Sequence, residues 1–163
     1  MLLLARNFLI LIFSVASISC TPHIASTNAL PAKIQSDPAS MDESILILIN
    51  EYRKSHGLVP LKMLDAASAQ AVAHSKDMAD RRTSFGHEDF EKRVKNVSQS
   101  TGNVSSAAEN VAFGQMSARE VVDGWLHSPG HKKNIEGNYT HTGIGIAKDK
   151  EGVLFFTQLF VRL

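Results

Sequence analysis

The chain has 163 residues, and its 17 lysines and arginines against 16 aspartates and glutamates give a formal net charge of +1. This nearly neutral, mixed charge argues against nucleic acid as a partner. Cys20 is the single cysteine, which excludes an intrachain disulfide, so an exported domain of this sequence must be stabilised by its own core. The chain beyond residue 19 has a normal length for one domain.

The N terminus has the pattern of an export signal. Arg6 precedes an apolar run, and small residues stand just before Cys20. This pattern predicts a secretory signal peptide over residues 1–19. Its apolar run, from residue 7 to residue 19, is too short to span a bilayer comfortably. The position of Cys20 predicts lipidation, as in bacterial lipoproteins; the alternative is an ordinary signal peptide whose removal leaves a free thiol. Residues 20–40, which contain three prolines, are predicted to be the lipidated cysteine and a flexible linker.

Residues 41–163 are predicted to form one domain, and the first half of this domain is predicted to be mainly helical. Residues 40–43 have a capping-box pattern, and apolar residues then repeat at helical spacing. Asp65 is predicted to cap a second helix with an alanine-rich face that extends to about residue 81. A short helix is predicted over 88–95, followed by a polar surface loop over 96–106.

The second half alternates strands and helices. A strand is predicted over 107–113, a second capping box begins a helix at 117–120, and residues 128–129 (Ser-Pro) begin another helix. Two further strands are predicted over 142–147 and 153–161. The last strand is apolar almost throughout, which indicates cover on both faces. The expected fold is therefore α+β, an α-β-α sandwich in which a small antiparallel sheet carries helices on both faces.

Two imidazoles and one carboxylate, those of His87, Glu109 and His131, form the one constellation in the sequence suited to metal binding or acid–base chemistry. This ligand set suits Zn²⁺ with open positions for water. His131 falls in the first turn of the helix that begins at 128–129, where the positive helix end favours a neutral imidazole. The alternative is a hydrogen-bonded His–Glu–His cluster that holds helices onto the sheet. His74, on an apolar helix face, is predicted to be a core histidine.

Several short motifs occur in a characteristic order. They are Gly86-His87, Ala108-Glu109-Asn110-Val111-Ala112, Ser128-Pro129-Gly130-His131 with Asn134-Ile135, and Gly143-Ile144-Gly145. In these motifs the chain resembles the CAP superfamily, also called the SCP domain: cysteine-rich secretory proteins, antigen 5 and group-1 pathogenesis-related proteins. The resemblance runs over residues 41–163 and is to the bacterial branch that lacks disulfides.

The resemblance implies an α-β-α sandwich whose central cavity carries two histidines and two glutamates. By motif, His87 and His131 match the two histidines and Glu109 matches one glutamate. Ser128 stands where the other glutamate is expected, so the set is incomplete and a catalytic role is less favoured.

The function expected from this resemblance is a non-enzymatic binding module for a lipid, a cell-wall component or a protein, with no obligatory cofactor. Its location is expected to be the bacterial cell envelope, with membrane attachment through Cys20, or the exterior as a secreted protein. The alternative is a metal-assisted hydrolase, a protease or a cell-wall-acting enzyme, that uses the same cavity. In either case the His/Glu cavity is expected to be able to bind a divalent metal, and Zn²⁺ is the candidate.

Overall fold

The computed structural model describes residues 40–114 and 117–163, so the predicted signal peptide, Cys20 and the linker up to residue 39 lie outside the described residues. The elements in chain order are α1 (Met41–Ser55), β1 (Lys62–Met63), α2 (Asp65–Ala79), α3 (Phe90–Thr101), β2 (Ser106–Gly114), α4 (Ala118–His127), α5 (Pro129–Ile135), β3 (His141–Lys148) and β4 (Leu154–Arg162). The strands form one sheet in the order β1-β3-β4-β2. The predicted α+β class is confirmed.

The sheet is mixed, whereas the sequence predicted an antiparallel one. β4 is antiparallel to both β2 and β3, but β1 runs parallel to β3. The side chain of Asn50 in α1 fixes the chain just before β1, because it donates to the carbonyl of Leu61 at 2.9 Å and accepts from its amide at 2.8 Å. Because β1 has only two residues and is fixed by Asn50 of α1, the sequence shows no strand periodicity from which β1 could be predicted.

The helix starts follow local sequence signals. Both predicted capping boxes, at Ser40 and Ser117, are confirmed. The predicted helix start at residues 128–129 is also confirmed, with Pro129 as the first residue of α5. The predicted cap at Asp65 is wrong by one position, because Asp65 is itself the first residue of α2 and the N-cap is Leu64.

The third helix is longer than predicted. α3 extends from Phe90 to Thr101, so the short helix over 88–95 and the loop over 96–106 were wrong in extent. The reason is tertiary packing: Val97 is fully buried and belongs to the same apolar cluster as Ala67 of α2. This contact stabilises a helical segment whose polar composition favours a loop.

Helices cover the sheet on both faces, as predicted. On one face α2 approaches the sheet closely, since a Cβ atom added to Gly145 of β3 would lie 2.1 Å from the carbonyl carbon of Ala71. On the other face Trp125 of α4 packs with Ile45 of α1 and Phe156 of β4. Within residues 40–114 and 117–163, no helix is long and apolar enough to cross a membrane.

Candidate functional site

The centre of the site is an ion pair between the edge strand β2 and helix α3. The Glu109 carboxylate accepts two hydrogen bonds from the guanidinium of Arg93, at 2.8 Å from Nε to Oε2 and 2.7 Å from Nη2 to Oε1. Both side chains are buried, with exposed fractions of 2% for Glu109 and 7% for Arg93. A buried bidentate pair of this kind fixes the orientation of both groups.

Arg93 also connects this pair to α2 and to the turn before α3. Its Nη1 atom donates to the carbonyl of Glu88 at 2.6 Å and lies 3.2 Å from Nδ1 of His74. Nε2 of His74 lies 2.8 Å from the carbonyl of Gly86, which can only accept. His74 therefore carries its proton on Nε2 and accepts from Arg93 through Nδ1. His74 is buried at 3% exposure with both ring nitrogens partnered, as predicted for a core histidine.

His87 is the exposed member of the site. Its Nδ1 atom lies 3.0 Å from Oε1 of Glu109, and 52% of its side chain is accessible to solvent. Because an ionised carboxylate only accepts, His87 donates through Nδ1, which leaves the Nε2 lone pair free. A surface cleft of about 240 Å³ opens at this point. It is lined by His87, Phe90, Ala108, Glu109 and Asn134.

Helix α5 brings His131 to the same edge of the sheet. Asn134 donates to the carbonyl of Glu109 at 3.1 Å and to Oδ1 of Asn110 at 2.9 Å. Asn110 in turn donates to the carbonyl of His131 at 3.2 Å. Burial lowers the pKa of His131, and any positive charge on nearby His87 lowers it further. The imidazole of His131 is therefore held neutral beside His87.

A buried arginine in α1 fixes the far end of α5. Arg53 is 2% exposed and donates to the carbonyls of Ile135 and Gly137, at 2.5 and 3.0 Å, and to that of Val59 at 2.8 Å. The carbonyls at a helix C terminus have no partner within the helix, and a cation there also interacts favourably with the helix dipole. Arg53 thereby positions the helix that carries His131.

The structure places all three predicted site residues at one edge of the sheet. His87 and Glu109 are in direct contact, and His131 lies close enough to His87 for its pKa to be affected. Arg93, which falls within the helix predicted over 88–95, was not among the predicted site residues. Its spacing from Phe90 and Val97, on one helical face, was the available signal that this arginine points inward.

The geometry allows a direct test of whether these residues fit a zinc ion. The two imidazoles are suitable nitrogen donors, since His87 has a free Nε2 and His131 is neutral. Glu109 is different, because both of its oxygens already accept hydrogen bonds from Arg93. Across the described parts of the chain, no group of three or more His, Cys, Asp or Glu side chains is arranged to hold a metal ion. The three-ligand zinc site stays a prediction.

An α-β-α sandwich with a His–Glu cleft at the edge of its sheet defines the class of protein. The family model described as "Cysteine-rich secretory protein family", CAP, matches residues 46–160. The chain belongs to this family.

Two proteins of Bacillus subtilis are similar to this chain in sequence. The uncharacterized Bacillus subtilis protein YkwD is 31% identical over 146 residues, which cover 88% of this chain and 55% of YkwD. The B. subtilis membrane protein YlbC is 29% identical over 124 residues, covering 74% of this chain and 34% of YlbC. The chain thus spans about half the length, or less, of these relatives.

Solved structures show the same fold. An extracellular protein with an SCP domain from Bacillus anthracis has a TM-score of 0.65 and 28% identity, over 78% of this chain and 45% of that one. An outer surface protein from Borrelia burgdorferi has a TM-score of 0.64 and 23% identity, over 76% of this chain and 96% of that one.

Proposed function

We propose that this chain is an exported CAP-domain protein, tethered to the bacterial cell envelope through Cys20, that acts as a non-enzymatic binding module. Its ligand docks in the cleft between α3, β2 and α5. The proposal is supported by similarity to an extracellular SCP-domain protein and to a membrane protein, which points to the envelope or the exterior. The expected ligand is a lipid, a cell-wall component or a protein.

One observation argues against Glu109 as a catalytic acid or base and so favours the non-enzymatic proposal: the charge of this carboxylate is neutralised within the protein. A general acid or base must exchange a proton with the reacting group, and the ideal pKa for this lies near the working pH. The Glu109 carboxylate is instead 2% exposed and bound at both oxygens by Arg93. Besides Glu109 and Ala108, the cleft is lined by an imidazole, an amide and an aromatic ring, from His87, Asn134 and Phe90. These groups are suited to noncovalent recognition.

A divalent ion remains part of this proposal. Of the predicted set His87, Glu109 and His131, the two histidines have the free nitrogen atoms that Zn²⁺ prefers. Glu109 would act through its hydrogen bond to His87 Nδ1, which keeps Nε2 free for the ion. Bound Zn²⁺ would supply a Lewis-acidic contact for an oxygen atom of the ligand.

Co-sedimentation of the chain from residue 20 onward, carrying Cys20→Ala so that no lipid anchor is present, with purified cell-wall sacculi and with phosphatidylglycerol vesicles tests the binding function; all variants are compared in this background. We expect one of the two to be bound, and His87→Ala to weaken that binding by about tenfold, or ~1.4 kcal/mol. His127→Ala is the matched control, because His127 is an exposed histidine in α4 and does not line the cleft. Equal binding by wild type and His87→Ala would exclude the cleft. Release of soluble fragments from sacculi would favour the hydrolase.

The tether is tested separately by Cys20→Ala. If Cys20 carries the lipid, the wild-type protein sediments with membranes and the variant moves to the soluble fraction. An apolar acyl chain buried in the bilayer contributes about 0.8 kcal/mol per CH₂ group, so its loss should be visible in a simple fractionation. A soluble wild-type protein with an unmodified Cys20 would refute the tether and leave the binding module as a secreted protein.

A further inference from the structure

The place beside Glu109 where a metal ion would bind is already filled by a side chain. The guanidinium of Arg93 lies at 2.7 and 2.8 Å from the two carboxylate oxygens. We infer that Arg93 is the resident cation of this site, that it prevents Glu109 from serving as a metal ligand, and that its removal would free the Glu109 carboxylate to ligate a divalent ion. This inference concerns metal binding in the same cleft and rests on the function proposed for it.

Arg93 is anchored so that it cannot readily turn away. Its Nη1 donates to the carbonyl of Glu88 and contacts Nδ1 of His74, so the guanidinium is held from three sides. The turn that supplies the Glu88 carbonyl ends at Asp89, the N-cap of α3, which adopts a left-handed backbone conformation with φ of 59°. Non-glycine residues adopt this conformation rarely, and here it lies next to Glu88, whose carbonyl accepts from Arg93.

Burial adds to this geometric argument. If Glu109 turned to a metal ion, Arg93 would become an unpaired cation with 7% of its side chain exposed, which is strongly unfavourable. A divalent ion at the carboxylate would also be repelled by the guanidinium at short range, where water screens poorly. A metal ion should therefore not displace Arg93 from Glu109. It could bind through the imidazoles of His87 and His131 alone.

Zinc titration of three variants by isothermal calorimetry tests the inference. We expect Arg93→Met to bind Zn²⁺ at least about tenfold more tightly than wild type, because a positive charge is removed and a carboxylate ligand is released. Adding Glu109→Gln to Arg93→Met should abolish this gain. Arg82→Met is the matched control, since Arg82 is an arginine with 53% side-chain exposure paired with Asp77, and it should bind like wild type. No gain in Arg93→Met, or a gain that survives Glu109→Gln, would overturn the inference.

A measurement on the wild-type protein decides the question even if Arg93→Met does not fold. The Arg93 Nε–H group, hydrogen-bonded to Glu109, should give a protected signal in a ¹H–¹⁵N spectrum. This signal should persist at saturating Zn²⁺, with any changes confined to the rings of His87 and His131. Its loss on zinc addition would show that Glu109 leaves Arg93, and the inference would be wrong. Neither experiment uses the organic ligand of the cleft. A failure of the binding-module proposal and a failure of the inference about Arg93 can therefore be told apart.

Discussion

Removal of the Glu109 carboxylate by Glu109→Ala should destabilise the domain severely. The substitution leaves the guanidinium of Arg93 buried without its counter-ion, while its bonds to Glu88 and His74 remain. An uncompensated buried charge typically costs about 3–5 kcal/mol. A domain has a total free energy of unfolding of about 5–15 kcal/mol, so the melting temperature should fall by roughly 10–20 °C.

A double-mutant cycle separates the ion pair from the packing of its two side chains. Arg93→Met alone should also be costly, because it leaves a buried carboxylate without its cation. The double variant Arg93→Met/Glu109→Met removes both charges and keeps much of the volume, and such replacements are often close to neutral. We therefore expect the double variant to be more stable than either single variant, which requires a coupling energy larger than the roughly 3–5 kcal/mol that one single substitution costs.

Urea denaturation followed by the fluorescence of Trp125, which is 1% exposed, measures these free energies. The matched control is the exposed pair of Lys76 and Asp80, at 61% and 34% side-chain exposure, whose disruption should cost about 0–1 kcal/mol. A loss below about 1 kcal/mol for Glu109→Ala would refute the reasoning. The reasoning would also be refuted if the free-energy changes of the Arg93 and Glu109 substitutions were strictly additive in the double variant.

Three further predictions concern the fold. Gly145→Ala should lower the free energy of unfolding by about 1–3 kcal/mol or more, because the added Cβ atom would lie 2.1 Å from the α2 backbone. Gly124→Ala is the control and should not destabilise the protein, because Gly124 in α4 has open space around it. Equal urea midpoints for the two variants would contradict this prediction. Burial lowers the pKa of His131 below 6.5, so the folded state binds fewer protons than the unfolded one. The contribution of His131 to the free energy of unfolding should be complete above pH 6.5 and be lost as pH falls through the lowered pKa. Thermal melts at several pH values should therefore show that His131→Asn removes this pH dependence. An unchanged pH profile in the variant would contradict the prediction. The segment 41–163 should fold alone with a cooperative thermal melt, and a gradual transition would show that the preceding residues contribute to the core.

Local sequence patterns determined the features that depend on neighbours along the chain. The two capping boxes, at Ser40 and Ser117, involve groups three residues apart, so each is encoded within one turn of helix. The continuous apolar run of β4 similarly indicated a strand covered on both faces, and Phe156 and Leu159 do belong to separate apolar clusters on the sheet. The motifs around His87, Glu109 and His131 were sufficient to identify the family.

The tertiary structure decided the features that depend on residues far apart in the chain. α3 continues to Thr101 because Val97 is buried against α2, although its polar composition favoured a loop. Arg93 and Glu109 are 16 positions apart, on a helix and an edge strand, and nothing in the sequence between them specifies that they meet. Such a pairing depends on how the elements pack. Its strength depends on burial, which exists only once the surrounding chain has excluded water from both charges.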